Sequence, residues 1–597
     1  MHELEARVTE KDNQIAQLEQ ETIILENNLD DVLSVYPRKF YITTAIHYTN
    51  GSPHVGHAYE NITADVIARY HRIFGREVFF LTGTDEHGQK IGQTAEALDI
   101  QPIELCDKYS KVFQQLAVDL KMSNDHFIRT TSEDHKSFAQ WAFQKAIDAD
   151  DIYLGHYEGW YNIREEMFVT ENEAQKSEYR DPSSGVPLKK MKEESYFFRM
   201  SKYQQRLIDH FHQNPNFLLP QTQRQAILQR LEEPLMDLSV SRNTFKHGVE
   251  LPNDPEHVMY VWFDALSNYL SGIEYPNGPN AHFWPAGVHI IGKDIVWFHA
   301  VIWPCMLMSL GMELPKMIFG HGHVSAGDGR KMSKSLGNIV DPYQVIKKYS
   351  TDSFRYFICR ETPYGNDMAF SELDLILLHN SELADALGNL VHRAVNLCAK
   401  YCDGKVPDVS VDDQPFDLPT LRVSAERFMK ECALQDTCIV AMNAIRETNK
   451  YLTDQAPWHM KDDDTGRKRV VRTALEAIYI ATHFLSPFVP EACDKIFEKM
   501  GTQPKTIVTL SKAFDNLIPG TTVNVGEVLF QKYISEDKMK KIEKKKKAPK
   551  KAPKCKKPTT LLPSLDARVG RIRIEVSPTI PSLKLHRDFG SIPIPIS

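Results

Sequence analysis

The chain has no cysteine between positions 107 and 304, and its nine cysteines form no Cys-x-x-Cys pair. Neither a disulfide framework nor a zinc knuckle is suggested by such scattered thiols. Also missing is any apolar run near the roughly 20 residues that span a bilayer, and the first residues are too acidic for a signal or transit peptide. These absences point to the reducing cytoplasm, with no membrane as partner. What the chain does have is length, 597 residues with 42% hydrophobic content, enough to bury several cores and to divide into domains.

Acidic charge dominates, with a net charge of -8, but it is unevenly spread. Between Lys538 and Lys557 twelve lysines face a single acid, Glu543. Lysines interleaved with alanine and proline cannot build a core, so 536–560 reads as an extended linker. It is either a solubilising or nuclear-import-like tail or a salt-sensitive grip on a polyanion. Residues 1–37 behave differently. A heptad seam through Leu4, Val8, Lys11, Ile15, Leu18, Thr22, Leu25, Leu29 and Val32 is apolar at seven of nine positions. That pattern predicts a coiled coil, or else an amphipathic helix lying on its own globular body. In either case 1–37 wants something to cover it, a partner protein or a second copy.

After Pro37 the pattern changes. Phe40 to Ala45 is rich in β-formers and leads to an Asn50-Gly51 turn. Apolar residues then recur at helical spacing from Val55 to Phe74, where Gly75 stops them, and Val78 to Thr82 reads as a second strand. In such a unit the ligand site lies beyond the strand's carboxyl end, at the tip of the helix. At that tip stands "PHVGH". His54 and His57 are three residues apart and share one helical face, and Gly56 between them leaves room for a ligand to come close. Two imidazoles at the positive end of a helix dipole suit phosphate oxygens. Far along the chain, "KMSKS" sits among Gly327, Gly329 and Gly337. Lys331 and Lys334 there can swing onto a reacting triphosphate and release the product. Each motif alone could be ordinary surface; their pairing is the specific signal.

"PHVGH" resembles the HIGH signature of the class I aminoacyl-tRNA synthetases, and "KMSKS" matches their second signature. With "TGTDEHGQKI", "YVWFDALSNYL", "HIIGKDIVWFHAVIWP" and "DQAPW", the stretch from about Lys39 to about residue 500 is similar to the methionyl branch of that family. The resemblance implies methionine attack on ATP to give methionyl-adenylate, then transfer to tRNA(Met). It implies catalytic roles for His54, His57, Lys331 and Lys334, and contacts to ATP from His54, Gly56, His57, Glu60 and Lys334. Magnesium is expected to arrive with ATP, since no dedicated carboxylate cage is evident. The implied methionine pocket comprises Ile46, Tyr48, Asp85, Trp262, Tyr269, Ile295, His299 and Trp303, an aromatic and aliphatic slot for a polarizable thioether with Asp85 facing the ammonium. His47 departs from the family, where proline or an aromatic residue is usual, so the pocket mouth is expected to differ in shape.

The implied fold class is α/β: a Rossmann-like catalytic domain on a parallel sheet, an inserted connective domain, a helical anticodon-binding bundle and an N-terminal coiled coil. The expected division is 38–125 and 256–330 for the two catalytic halves and 126–255 for the insertion. Further on come 331–375 for the KMSKS and stem-contact region, 376–535 for the bundle, the linker 536–560, and 561–597. Family members often carry zinc knuckles in the insertion; with no cysteine there, no structural zinc is predicted. The bundle's Asn389 and Arg393, at i and i+4, and Trp458 in its "QAPW" turn are implied to read the anticodon. "SLDARVGRI" looks like the entry to a tRNA-binding barrel of the OB type. Thirty-seven residues do not provide its five strands, so 561–597 is expected to be a loosely docked or disordered remnant.

Overall fold

The computed structural model describes residues 38–162, 167–169, 171–181, 185–325 and 340–533. The predicted coiled coil, the lysine-rich linker, the C-terminal remnant, and Lys331 and Lys334 all lie outside the described residues.

The order of the parallel sheet determines where a ligand can sit. Its strands are β1 (Lys39–Thr44), β2 (His47–Tyr48), β3 (Glu77–Asp85), β4 (His126–Arg129), β5 (Leu218–Leu219), β6 (Val288–Gly292) and β7 (Ile318–His321). They run β2-β3-β1-β6-β7-β5, with β4 also paired to β3, and every pairing is parallel. Growth away from β1 reverses between β1 and β6, where Ile42 pairs with both Phe80 and Val288. That switch point opens a crevice at the strands' carboxyl ends. β1 is buried from Tyr41 to Thr44, on successive residues facing opposite sides, as a sheet covered on both faces requires.

Helix α1 (Val55–Phe74) follows β2 and packs its apolar stripe on the sheet; Gly75, at φ 118°, ends it in the left-handed conformation glycine tolerates. Strand β3 is longer than the apolar run Val78–Thr82 predicts, because the β4 edge pairs Leu81 to Thr84 and so extends the ladder. Two strands of this sheet, β4 and β5, come from within the 126–255 stretch. The same stretch carries a separate four-stranded antiparallel sheet around Ile152–Asn162 and Lys189–Phe198.

Beyond the sheet come helices. α2 (Pro102–Asp119) flanks α1, and α3 (Thr351–Arg360) leads into α4 (Asn389–Tyr401), α5 (Leu418–Lys430), α6 (Leu434–Gln455), α7 (Asp464–Leu485) and α8 (Pro490–Lys499). The sequence from Arg467 to Met500 reads as one helical run; Pro487 and Pro490 divide it into α7 and α8, since proline cannot continue a helix interior. Before α4 the chain passes through a wider, π-type stretch at His379–Gly388. Two buried ion pairs tie α1 to these helices. Arg355 of α3 meets Asp65 at 2.7 Å with neither side chain exposed, and Arg76, just past α1, pairs with Glu426 of α5.

Candidate active site

The carboxyl end of β1 and the tip of α1 face a cavity of about 490 Å³. Ala45, Ile46, Tyr48, His57, Asp85, Lys90, Trp262, Tyr269, Asp294, Ile295 and His299 are among its lining residues. It therefore lies at the switch point that the strand order sets.

At the α1 tip the two imidazoles cap the helix with each other. His54 is the N-cap, and its Nδ1 accepts from the Gly56 N–H at 3.1 Å, while His57 Nδ1 accepts from the His54 N–H at 3.1 Å. With both Nδ1 atoms used as acceptors, the neutral rings carry their protons on Nε2. Each then presents an N–H donor away from the helix, and the rings stack 3.9 Å apart. Burial, with His54 and His47 nearby, drives the His57 pKa well down, so the ring is a neutral donor. Gly56 has a reason the sequence does not give: a Cβ there would stand 2.9 Å from Cε1 of His54. Its small size serves the neighbouring imidazole directly.

Glu60, one turn along α1, is buried and receives His321 Nε2 at 2.9 Å on Oε2. Its Oε1 is buried with no hydrogen-bond partner among the described residues, an acceptor that a ligand's donor would satisfy. The signature lysines lie outside the described residues, yet Val340, the first described residue after them, accepts the Val55 N–H at 3.1 Å.

The pocket wall is built from rings held in fixed tautomers. His299 Nδ1 donates to the Ile295 carbonyl at 2.9 Å, leaving Nε2 to accept from the Tyr269 hydroxyl at 2.7 Å. Burial drives His299 down to about 4, so this ring is neutral. Trp262 stacks on Phe298 at 3.8 Å. Asp85 accepts from the His87 N–H, and His87 in turn is fixed by Asp264 at 2.7 Å, with His135 on the other carboxylate oxygen at 2.7 Å. Burial raises the Asp264 pKa, but these two histidines outweigh it and hold the carboxyl far below the usual range.

Ile46, Tyr48, Asp85, Trp262, Tyr269, Ile295 and His299 all reach this one cavity. Trp303 does not. It is fully buried behind Tyr269, at 5.9 Å between ring centroids, and its Nε1 donates to His289. His47 does not line the cavity either; it turns under α1 toward Asn61 and Phe113. Lys90 and Asp294 line the cavity although composition and spacing gave no reason to single them out. Far from this site, Arg393 donates to Asn449 and Thr453 and lies 5.7 Å over Trp458, which is 37% exposed. Asn389 is exposed on the same helix. Among the described residues, no group of three or more His, Cys, Asp or Glu side chains could hold a metal ion, and no helix is long and apolar enough to cross a membrane.

Two family models match: that of "tRNA synthetases class I (M)" over 40–177 and 176–395, and that of the "Anticodon binding domain of methionyl tRNA ligase" over 422–550. A methionine–tRNA ligase of Rhizobium meliloti is 42% identical over 511 residues, covering 83% of this chain and 99% of its own. Another, from Halalkalibacterium halodurans, is 40% identical over 551 residues, covering 88% and 83%. The crystallised Mycobacterium tuberculosis methionyl-tRNA synthetase in complex with methionyl-adenylate matches with a TM-score of 0.77 at 38% identity, over 83% of this chain and 100% of that one.

Proposed function

The chain belongs to the methionine–tRNA ligases, class I enzymes that use ATP to activate L-methionine as methionyl-adenylate and charge tRNA(Met) with it, and on that footing we propose how its own residues do so. A carboxylate oxygen of methionine attacks the α-phosphorus of ATP, and the bond to the pyrophosphate oxygen breaks. The terminal ribose hydroxyl of tRNA(Met) then attacks the aminoacyl carbonyl, and AMP leaves. Neither step needs an unusual base. Both need the reactants placed and the developing charge met.

In this reading Asp85 holds the ammonium, and Ile46, Tyr48, Trp262, Tyr269, Ile295 and His299 enclose the thioether. The neutral rings of His54 and His57 donate from Nε2 to the phosphate oxygens, where a fixed N–H strengthens as charge builds. Glu60 takes an ATP donor on its open Oε1. Lys331 and Lys334 meet the leaving pyrophosphate, and Trp303 supports Tyr269 from behind. Magnesium enters as part of the ATP complex, and structural zinc has no role. Asn389, Arg393 and Trp458 bind the anticodon, the cytoplasm is the site of action, and 1–37 associates with a coiled-coil partner or another copy.

The observation that carries this reading is the single cavity running from Asp85 and the aromatic wall to His57. Methionine-dependent ATP–pyrophosphate exchange tests it. Exchange with methionine and none with leucine is the expected result, with Asp85→Asn raising the KM for methionine by roughly thirtyfold, the loss of a charge-assisted hydrogen bond. No methionine-dependent exchange would overturn it.

A further inference from the structure

His47 occupies a place in this chain that the pocket does not use. It is buried, and its Nε2 lies 3.0 Å from Asn61 Oδ1 on α1, where it can only donate. Its ring stacks on Phe113 of α2 at 4.9 Å and meets the ring of His57 edge to face at 5.0 Å. Phe113 closes the third side, 5.1 Å from His57 at 88°. His57 is thereby flanked by His54, His47 and Phe113, and the buried His47 is held by its hydrogen bond to Asn61. The chain of support runs from Asn61 to His47 to His57.

We propose that His47 is a positioning residue for ATP activation: anchored on Asn61, it fixes the ring plane of His57 so that Nε2–H is aimed where charge develops on the phosphate. A group held to within a fraction of an ångström is what such a step requires, and an unsupported ring loses that placement. His47 also bears on the protonation of His57. Charged or titratable groups facing His47 are His57 and Glu60, with His54 beyond His57. Burial keeps His47 from taking a proton, against the pull of Glu60 and Asn61. A proton on His57 Nδ1 would break the cap to the His54 N–H, and His47 is one of the groups opposing that proton.

The inference rests on the reading that His54 and His57 contact ATP, and the test separates the two. In the full-length protein, His47→Phe is expected to lower kcat of ATP–pyrophosphate exchange about tenfold, leave the KM for methionine unchanged, and move the acid limb of the pH profile to higher pH. Asn61→Leu should lower kcat in the same direction, and the double variant should fall short of the product of the two single effects, because both act on one ring. Wild-type kcat and pH profile in His47→Phe, or multiplicative effects in the double variant, would overturn the inference. A kcat loss matched by a rise in KM for methionine and a lower Tm would do the same, marking a purely structural role. His57→Ala serves as the reference: if it leaves exchange intact, the reading of the ATP site fails first; if it abolishes exchange while His47→Phe does nothing, only this inference fails.

Discussion

Single residues set the electrostatic character of the pocket, and His299 is the clearest case. Its ordinary pKa is 6.5 and burial lowers it to about 4. Between those values the unfolded chain binds a proton that the folded chain refuses, so this contribution is complete above pH 6.5 and is lost as pH falls toward 4. Acidification across that window should lower stability by about 3 kcal/mol through this group. Replacing it in His299→Gln should flatten the Tm-versus-pH curve there; an unchanged slope would refute the assignment. At this scale the sequence was partly legible. Asp85, Trp262 and Tyr269 stand in the motifs that carry the family resemblance, and all three line one cavity. Trp303 does not, because a tryptophan in an apolar helix turn reads the same whether it faces the pocket or lies one ring behind it. His47 was legible only as a departure, and its direction depends on Asn61 and Phe113, residues distant in sequence that no periodicity joins to it.

Elements were easier to read where a stop signal and a period agree. Helix α1 ends at Gly75 as its pattern predicts, while α7 and α8 look continuous until Pro487 and Pro490 are given their due weight. The α1 tip gives a prediction at this scale. In Gly56→Ala the new methyl would meet the His54 ring at 2.9 Å, well inside van der Waals contact, so the ring must turn and give up the Gly56 N–H. Exchange activity should fall by roughly a hundredfold, the cost of a misplaced donor. The Tm should drop by only a few degrees, because a single lost cap is worth about 1 kcal/mol. Exchange kinetics and thermal melts on the same preparation decide it, and a variant with full activity would show that the cap does not matter to the chemistry.

At the scale of the whole molecule, what no sequence pattern announced is how the sheet and the helices are joined. Arg76 and Glu426 are both nearly fully buried and lie 350 residues apart. Glu426→Leu alone takes the carboxylate from a buried guanidinium that also meets His71 and should cost about 3 kcal/mol, whereas adding Arg76→Met should recover part of it; thermal or urea unfolding measures both. Anticodon reading is tested apart from this. Trp458→Ala should reduce tRNA charging by about tenfold or more, the worth of a stacked base, with methionine-dependent exchange unchanged, and equal loss of both would contradict the assignment. Helix α1 connects these regions physically. It spans 20 residues, or about 30 Å, with the imidazole pair at one end, Asp65 and its Arg355 partner along its length, and Arg76 just past the other end. Such a rod acts as a lever: pivoting it by two degrees about its far end displaces its tip by about 1 Å, a shift of the size that costs an active site orders of magnitude in rate. The buried salt bridges at Asp65 and Arg76 therefore hold the tip of α1 in place from a distance, and on the proposed function their loosening should register first as slow exchange.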